Sequence, residues 1–347
     1  MTDLLSINEL AAQVQHNCHI SDARHGADYA ICTFLMKMRE YYRWEQGRSP
    51  GERLGKDEVG QWLADREALW ETLEDEAYRP LEWSGESFDP FDAERLNARL
   101  EAADLVYSAG IGRNGKPHFF LARLEGRERF GGCLVRVAGR EYARDLSAPP
   151  AMTQGEWVFV RREALRQLLW ERLEGWRWNR PDNALGCAFA CYDFEHDLDG
   201  ALEAMTAVEV EAVLRHELGE VRAGEILGED WNALLLALVA TPAEFKARAV
   251  RDHLADCLST LPALAGQGDA PPIHFFVGNL SPMRQRLFPA LSRAYEEWRK
   301  QGDATVLARV AEQGRKHWAE MGRRLVDLWR RGEPDLPKQV MERVEAL

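Results

Sequence analysis

Apolar residues recur at steps of three and four through most of this chain, and this spacing constrains the fold more than any other feature. Over residues 22–45 the pattern predicts a helix with one buried stripe, which the glycine- and proline-containing segment 47–51 ends. Two further helical patterns follow, at residues 59–77 and 92–102. The first 103 residues therefore predict a helical unit.

The pattern changes between residues 104 and 160, where short apolar segments are separated by glycine-rich turns, as in antiparallel strands. Helical spacing returns over residues 161–176 and again after residue 184. The regular alternation of strand and helix that a parallel, doubly wound sheet requires is missing from the sequence. We predict a mainly α protein of the α+β class, with helical bundle units at 1–103 and 184–347. A small antiparallel β insertion plus a helix, at 104–183, would contain its only sheet.

The charge balance argues against several classes of partner. The formal net charge is −13 and the isoelectric point is about 5.3, whereas binding of a phosphate backbone needs a basic surface. The longest apolar run, residues 233–240, is far shorter than the ~20 residues that span a bilayer. The N-terminus also lacks the basic-then-apolar order of a signal peptide. We therefore expect a cytoplasmic protein with no nucleic-acid or membrane partner.

The six cysteines form no C-x-x-C pair. This scatter is more typical of reduced thiols in a cytosolic protein than of a disulfide framework.

Potential metal ligands are densest in residues 16–25, HNCHISDARH. Here His19, Asp22 and His25 follow one another at steps of three, just before the predicted long helix. Imidazole nitrogens and carboxylate oxygens are the ligands that borderline metals prefer. We predict these three residues as one group of possible metal ligands.

Residues 110–115 read G-x-G-x-x-G after a plausible strand, a pattern shared with dinucleotide-binding loops. In those loops the last glycine opens a helix whose N-terminus holds the pyrophosphate. Here KPHFF follows, which predicts a second strand. We therefore predict a hairpin turn and expect no nucleotide cofactor.

A second candidate group lies on a predicted helix at residues 202–227. Glu217 falls within the apolar stripe of that helix, with His216 and Glu220 on the adjoining flank. A buried carboxylate needs a cation, a donor or a metal, and His216 and Glu220 could chelate one ion because they are four residues apart. The motif departs from the H-E-x-x-H of zinc peptidases, since Glu220 stands at the position of the second histidine. The alternative is structural, with Glu217 paired to an arginine such as Arg215, Arg222 or Arg251.

A third group, His253 and Asp256, lies on a predicted helix at residues 242–261. A histidine and an aspartate three residues apart can bind one metal, or the aspartate can orient the histidine through a hydrogen bond.

Three helical segments that each carry histidine and carboxylate resemble the way metal sites are built inside helical bundles. We therefore predict a metal-dependent enzyme, either a hydrolase or a non-haem oxidase, with a small-molecule substrate. The ligand types favour iron, manganese or zinc. His19, Asp22, His25, His216, Glu220 and Asp256 are the predicted metal ligands, and Glu217 and His253 the predicted catalytic residues. The alternative is a non-enzymatic interaction or regulatory protein whose buried charges form structural ion pairs. The sequence leaves the oligomeric state open.

Residues 140–152 combine mixed charges with a rigid Pro149-Pro150 pair. Arg144 in this segment could bind an anion, or the segment could simply cover an edge of the core.

The full chain resembles an uncharacterised bacterial protein family, most clearly over residues 16–45, 107–120 and 143–152. The resemblance implies a bacterial cytosolic protein. It implies no activity, cofactor or catalytic residue.

Overall fold

The computed structural model describes residues 4–112, 115–130, 132–332 and 334–347. The chain divides into two compact units. Unit 1 comprises Met1–Pro150 and Phe159–Trp170, and unit 2 comprises Ala151–Val158 and Glu171–Leu347. The fold is mainly helical with β structure, as the apolar spacing predicts.

The helices that begin in unit 1 are α1 (Leu4–His25), α2 (Ile31–Glu45), α3 (Lys56–Leu73), α4 (Ala93–Leu100) and α5 (Arg162–Arg177). Helix α1 buries a stripe of Leu10, Val14 and Cys18, which are four residues apart and fully inaccessible. The predicted single helix over residues 22–45 is wrong at its start. The segment His16–His25 forms the end of α1, and a short 3₁₀ helix at Gly26–Asp28 separates it from α2. Gly26 weakens the helix, while the apolar spacing on both sides remains compatible with one.

The β structure consists of β1 (Leu81–Trp83), β2 (Glu86–Phe88), β3 (Leu105–Ile111), β4 (Pro117–Phe130), β5 (Cys133–Arg144), β6 (Ala151–Gln154) and β7 (Trp157–Arg161). Strands β1 and β2 form a small antiparallel sheet, and the others form a five-stranded sheet in the order β3-β4-β5-β7-β6. The expectation of a single sheet is therefore wrong. Two strands of three residues are too short to show an alternating pattern, although positive φ angles at Ser84 and Gly85 mark a tight hairpin turn.

The G-x-G-x-x-G pattern begins in the last residues of β3 and precedes β4, with which β3 pairs in antiparallel fashion. Strand β3 pairs with β4 in a register that sets Gly110 opposite His118, and Gly112 donates a backbone hydrogen bond to Lys116. Arg113 and Asn114 lie outside the described residues. The predicted hairpin is confirmed, because a strand rather than a helix follows Gly115.

Unit 1 has its own hydrophobic core. Side chains from α1, α4, β1, β3 and β4 form one cluster, which includes Leu10, Leu96 and Phe119. A smaller cluster joins α2 to α3 through Met38, Tyr41 and Trp70.

Unit 2 is helical apart from β6 and the first residues of β7. Its further helices are α6 (Ala184–Phe189), α7 (Leu198–Leu227), α8 (Asp230–Ala237), α9 (Pro242–Ala255), α10 (Leu261–Gln267), α11 (Ala270–Gly278), α12 (Pro282–Leu287), α13 (Pro289–Gln301), α14 (Thr305–Arg330) and α15 (Leu336–Arg343). A five-residue π-helical turn, Asp256–Thr260, joins α9 to α10. The core of unit 2 is built around Trp231, Leu254 and Trp318.

Over the described part of the chain, no helix combines the length and the apolar character needed to cross a bilayer.

Candidate metal centre

Helices α7 and α9 approach closely in unit 2 because Gly219 has no side chain. A Cβ atom at Gly219 would overlap with the carbonyl oxygen of Ala255. The residues that flank this contact are polar: His216 and Glu220 on α7, and Asp252 and Asp256 on the opposite segment. Each pair is four residues apart and shares a helix face, so the close approach brings two polar faces together.

Three of these side chains can reach a common point. His216, Glu220 and Asp252 each offer a ligand atom, and these atoms lie within 4.8 Å of one another. All three side chains are partly buried. One imidazole and two carboxylates form a donor set that suits a divalent cation.

His216 is held between two carboxylates. Its Nδ1 atom donates a hydrogen bond to Oδ1 of Asp256 at 2.8 Å, and its Nε2 atom lies 3.6 Å from Oε1 of Glu220. Burial alone would lower the pKa of His216, but Asp256 and Glu220 raise it well above its ordinary value.

Two arginines neutralise the carboxylates. Arg251 donates to Oε1 of Glu220 at 2.6 Å and lies 3.6 Å from Asp252. Although burial opposes the shift, Arg251 and His216 lower the pKa of Glu220 to about 2. Arg284 pairs with Oδ2 of Asp256, and Thr260 donates to Oδ1 of Asp256 at 3.0 Å. Asp256 is thus held by His216, Arg284 and Thr260, whereas Asp252 interacts with Arg251 and Glu220.

Glu217 lies next to this network, on α7 with 7% of its surface exposed. Thr153 of β6 donates a hydrogen bond to Oε2 of Glu217 at 2.6 Å. Burial, followed by the charge of Glu220, raises the pKa of Glu217 to about 7. The hydrogen-bond donor to Glu217 is therefore the hydroxyl of Thr153. Arg251, one of the arginines predicted to pair with Glu217, binds Glu220 instead.

His253 lies in the apolar core rather than beside the ligand atoms. It is fully buried, stacks on Trp318 with ring centroids 4.8 Å apart, and donates from Nε2 to the carbonyl of Arg284 at 3.1 Å. Burial, and then the charge of Arg284, lowers the pKa of His253 to about 3. These contacts are those of a core histidine in its neutral form.

The predicted ligands in α1 belong to unit 1, and each has other partners. The indole nitrogen of Trp70 donates to Nδ1 of His19 at 3.3 Å. Asp22 accepts from Lys116 at 2.7 Å and from the backbone N–H of Leu146, while Nδ1 of His25 lies 3.1 Å from Asp28. Across the described residues, the trio on α7 and α9 is the only group of three that could hold a metal ion, so these α1 residues form no such group.

Family models match almost the entire chain. The N-terminal domain model of a family of unknown function (DUF6866) matches residues 9–161, and the C-terminal domain model of the same family matches residues 166–347. The chain belongs to the DUF6866 family. No curated protein and no solved structure matches this DUF6866 protein.

Four residues of the site in this DUF6866 chain were not predicted from the sequence: Asp252, Arg284, Thr153 and Thr260. Asp252 stands four residues before Asp256, and this spacing could have indicated a second ligand pair facing His216 and Glu220. Arg284 and Thr153 are distant in sequence from the residues that they contact, and no local pattern marks them. The predicted residues His216, Glu217, Glu220 and Asp256 do lie together.

Proposed function

We propose that unit 2 binds a divalent metal ion through His216, Glu220 and Asp252, and that the protein is a metal-dependent hydrolase acting on a small molecule. The observation that carries the proposal is the proximity of three ligand atoms within 4.8 Å. The set combines one nitrogen with carboxylate oxygens, which suits manganese or zinc. Three protein ligands also leave positions for water and substrate.

This donor set favours hydrolysis over oxidation. Iron oxygenases typically use two histidines and one carboxylate, whereas this trio has one histidine and two carboxylates. Glu217 adds a buried carboxylate next to the trio, since it interacts electrostatically with both His216 and Glu220. A metal held by the trio would supply an activated water for hydrolysis, and Glu217 is a buried carboxylate beside the trio that would accept a proton from that water.

Arg251 competes with the metal. Its guanidinium occupies Glu220 and approaches Asp252, so the ion must displace an existing cation. We therefore expect modest affinity, and removal of the competing charge in Arg251→Met should raise it.

Metal binding is tested on full-length protein purified without an affinity tag, by elemental analysis and by calorimetric titration with Mn²⁺ and Zn²⁺. The wild type should bind one ion, and Asp252→Asn should weaken binding by about tenfold or more. Glu225→Gln serves as the control, because Glu225 is an exposed acid on α7, the helix that carries His216 and Glu220. The metal site is wrong if the wild type takes up neither ion, or if both variants weaken binding equally.

Hydrolysis is tested separately with a panel of carboxylic esters, phosphate esters and amides, with metal and with EDTA. Glu217→Gln should retain the ion and lose turnover. Stoichiometric metal without metal-dependent hydrolysis of any substrate class would reject the enzymatic part of the proposal and leave a structural metal.

A second candidate function is a non-enzymatic interaction protein. It is favoured by Arg251 and Arg284, which already balance the charges of Glu220 and Asp256 as in a structural network. In that case Arg251→Met should destabilise the fold without creating metal affinity.

We further propose that the helices of each unit pack as bundles and that the protein acts in the bacterial cytoplasm. The bundle assignment is supported by the core of unit 2, in which α9 and α14 pack together through Leu254 and Trp318. The location is supported by the cysteines, all six of which are free thiols.

A further inference from the structure

Arginines converge on a small cavity in unit 1. It has a volume of about 90 Å³ and is lined by Glu40, Arg43, Trp44, Arg48, Pro50, Arg144, Glu163, Arg166, Gln167 and Trp170. Four of these residues are arginines and two are glutamates, and Arg144 also lies 3.4 Å from Glu141, a carboxylate that it shares with Arg161.

Two of the arginines are fixed in position. Arg43 is 9% exposed and donates to the carbonyl of Ser49 at 2.7 Å. Arg144 is 1% exposed, donates to Oε1 of Gln167 at 2.6 Å, and places its guanidinium 5.3 Å from the ring centroid of Trp44. Such anchoring lowers the entropic cost of binding an anion, because these side chains are already ordered.

A buried donor adds to the positive lining. Trp170 is only 6% exposed, and its indole Nε1 atom has no hydrogen-bond acceptor among the described residues. Buried N–H groups nearly always have an acceptor, because leaving one unsatisfied costs about 1–3 kcal/mol. A ligand with acceptor oxygens in this cavity would supply one.

The size of the cavity limits the ligand. It is far smaller than the ~300 Å³ or more of pockets that hold drug-sized molecules. It has room for a group of a few heavy atoms. Arginine guanidinium groups match the geometry of oxyanions, and a phosphate carries up to about two negative charges at neutral pH.

We propose that this cavity binds a phosphate group, held by Arg144, Arg166 and the indole N–H of Trp170. The site is distinct from the proposed metal centre, which lies in unit 2. The proposal takes up the sequence-based prediction that Arg144, in the segment of residues 140–152, binds an anion.

The test uses the full-length protein with ¹⁵N-labelled tryptophan, titrated with inorganic phosphate in EDTA so that no metal can bind the anion. Trp170→Phe identifies the indole resonance of Trp170. That resonance should shift in a saturable way, and calorimetry should give the same dissociation constant. Trp170→Phe and Arg166→Gln should each weaken binding by about tenfold or more, because each removes a donor to a charged acceptor.

Arg162→Gln is the matched control, since Arg162 lies on the same helix but does not line the cavity. Circular dichroism establishes whether each variant is folded. If Arg166→Gln does not fold, the loss of phosphate binding in Trp170→Phe alone tests the proposal. The proposal is overturned if the Trp170 resonance does not respond to phosphate, or if Arg162→Gln weakens binding as much as Arg166→Gln does. Acetate that binds as tightly as phosphate would overturn the phosphate assignment and show a carboxylate site instead.

Discussion

Burial shifts the pKa of individual side chains in this protein, and His19 is an example that makes stability depend on pH. Burial, and then the charge of Arg66, lowers the pKa of His19 from 6.5 to about 3. Between these values the unfolded chain binds a proton that the folded chain does not. The free energy of unfolding therefore falls as the pH is lowered through this range, by about 1.4 kcal/mol per pH unit for one such group.

We expect His19→Gln to remove this contribution, because glutamine does not titrate and its amide oxygen can still accept from Trp70. Urea unfolding of the wild type and the variant from pH 7 to pH 4 measures the difference in slope. His196→Gln is the control: His196 is exposed and Asp193 raises its pKa, so both states bind its proton below pH 6.5. Parallel stability curves for His19→Gln and the wild type would contradict the prediction.

A second prediction concerns the ion pair of Asp22 and Lys116, which are 0% and 5% exposed. Lys116→Met removes the cation and leaves a buried carboxylate whose remaining hydrogen-bond donor within the described part of the chain is the N–H of Leu146. We expect a loss of about 3–5 kcal/mol in the free energy of unfolding, measured by urea denaturation.

The double variant Asp22→Asn/Lys116→Met should recover part of this loss, because the asparagine oxygen still accepts from Leu146 without carrying a charge. Lys56→Met changes an exposed lysine in the same unit and should have an effect within about 0.5 kcal/mol. If the double variant is as unstable as Lys116→Met, the uncompensated charge is not the cause.

At the scale of helices and strands, the sequence was informative wherever an element is long enough to show its period. The helix predicted at 161–176 is observed as Arg162–Arg177, and the helix predicted at 202–227 is observed as Leu198–Leu227. Two elements were not predicted from the sequence: the short hairpin of β1 and β2, and the π-helical turn Asp256–Thr260. The hairpin strands are too short, and the buried residues Leu254, Cys257 and Leu261 keep the three- and four-residue spacing of an α-helix through the π-helical turn.

Two glycines on α7 provide a matched pair for the contact between α7 and α9. Gly219→Ala would place a methyl group against the Ala255 carbonyl, so we expect roughly 1–3 kcal/mol of destabilisation. A methyl group at Gly224 would meet no atom within 4 Å, and Gly224→Ala should stabilise the helix by about 0.5–1 kcal/mol. Thermal unfolding by circular dichroism distinguishes the two. Equal shifts in melting temperature would mean that the two helices can separate at little cost.

At the scale of the whole molecule, the sequence predicted the class of fold and two of the three residues of the candidate centre. His216 and Glu220 can be paired from their spacing on one helix. Asp252 and Arg251 join them only because Gly219 lets a second helix approach, and no local pattern specifies which helices pack together. In α1 the sequence pattern was misleading. His19, Asp22 and His25 lie close together in the sequence, but in unit 1 each makes a separate hydrogen bond or ion pair.

Each unit also has its own hydrophobic core, with Phe119 in that of unit 1 and Trp318 in that of unit 2. Units with separate cores can unfold in separate cooperative steps. We expect scanning calorimetry of the full chain to show two transitions. Lys116→Met should lower the temperature of one transition and Gly219→Ala that of the other, because the two substitutions disturb different cores. A single transition shifted by both variants would show that the two units unfold as one cooperative structure. The free energy of unfolding measured for either variant would then describe the whole chain rather than one unit.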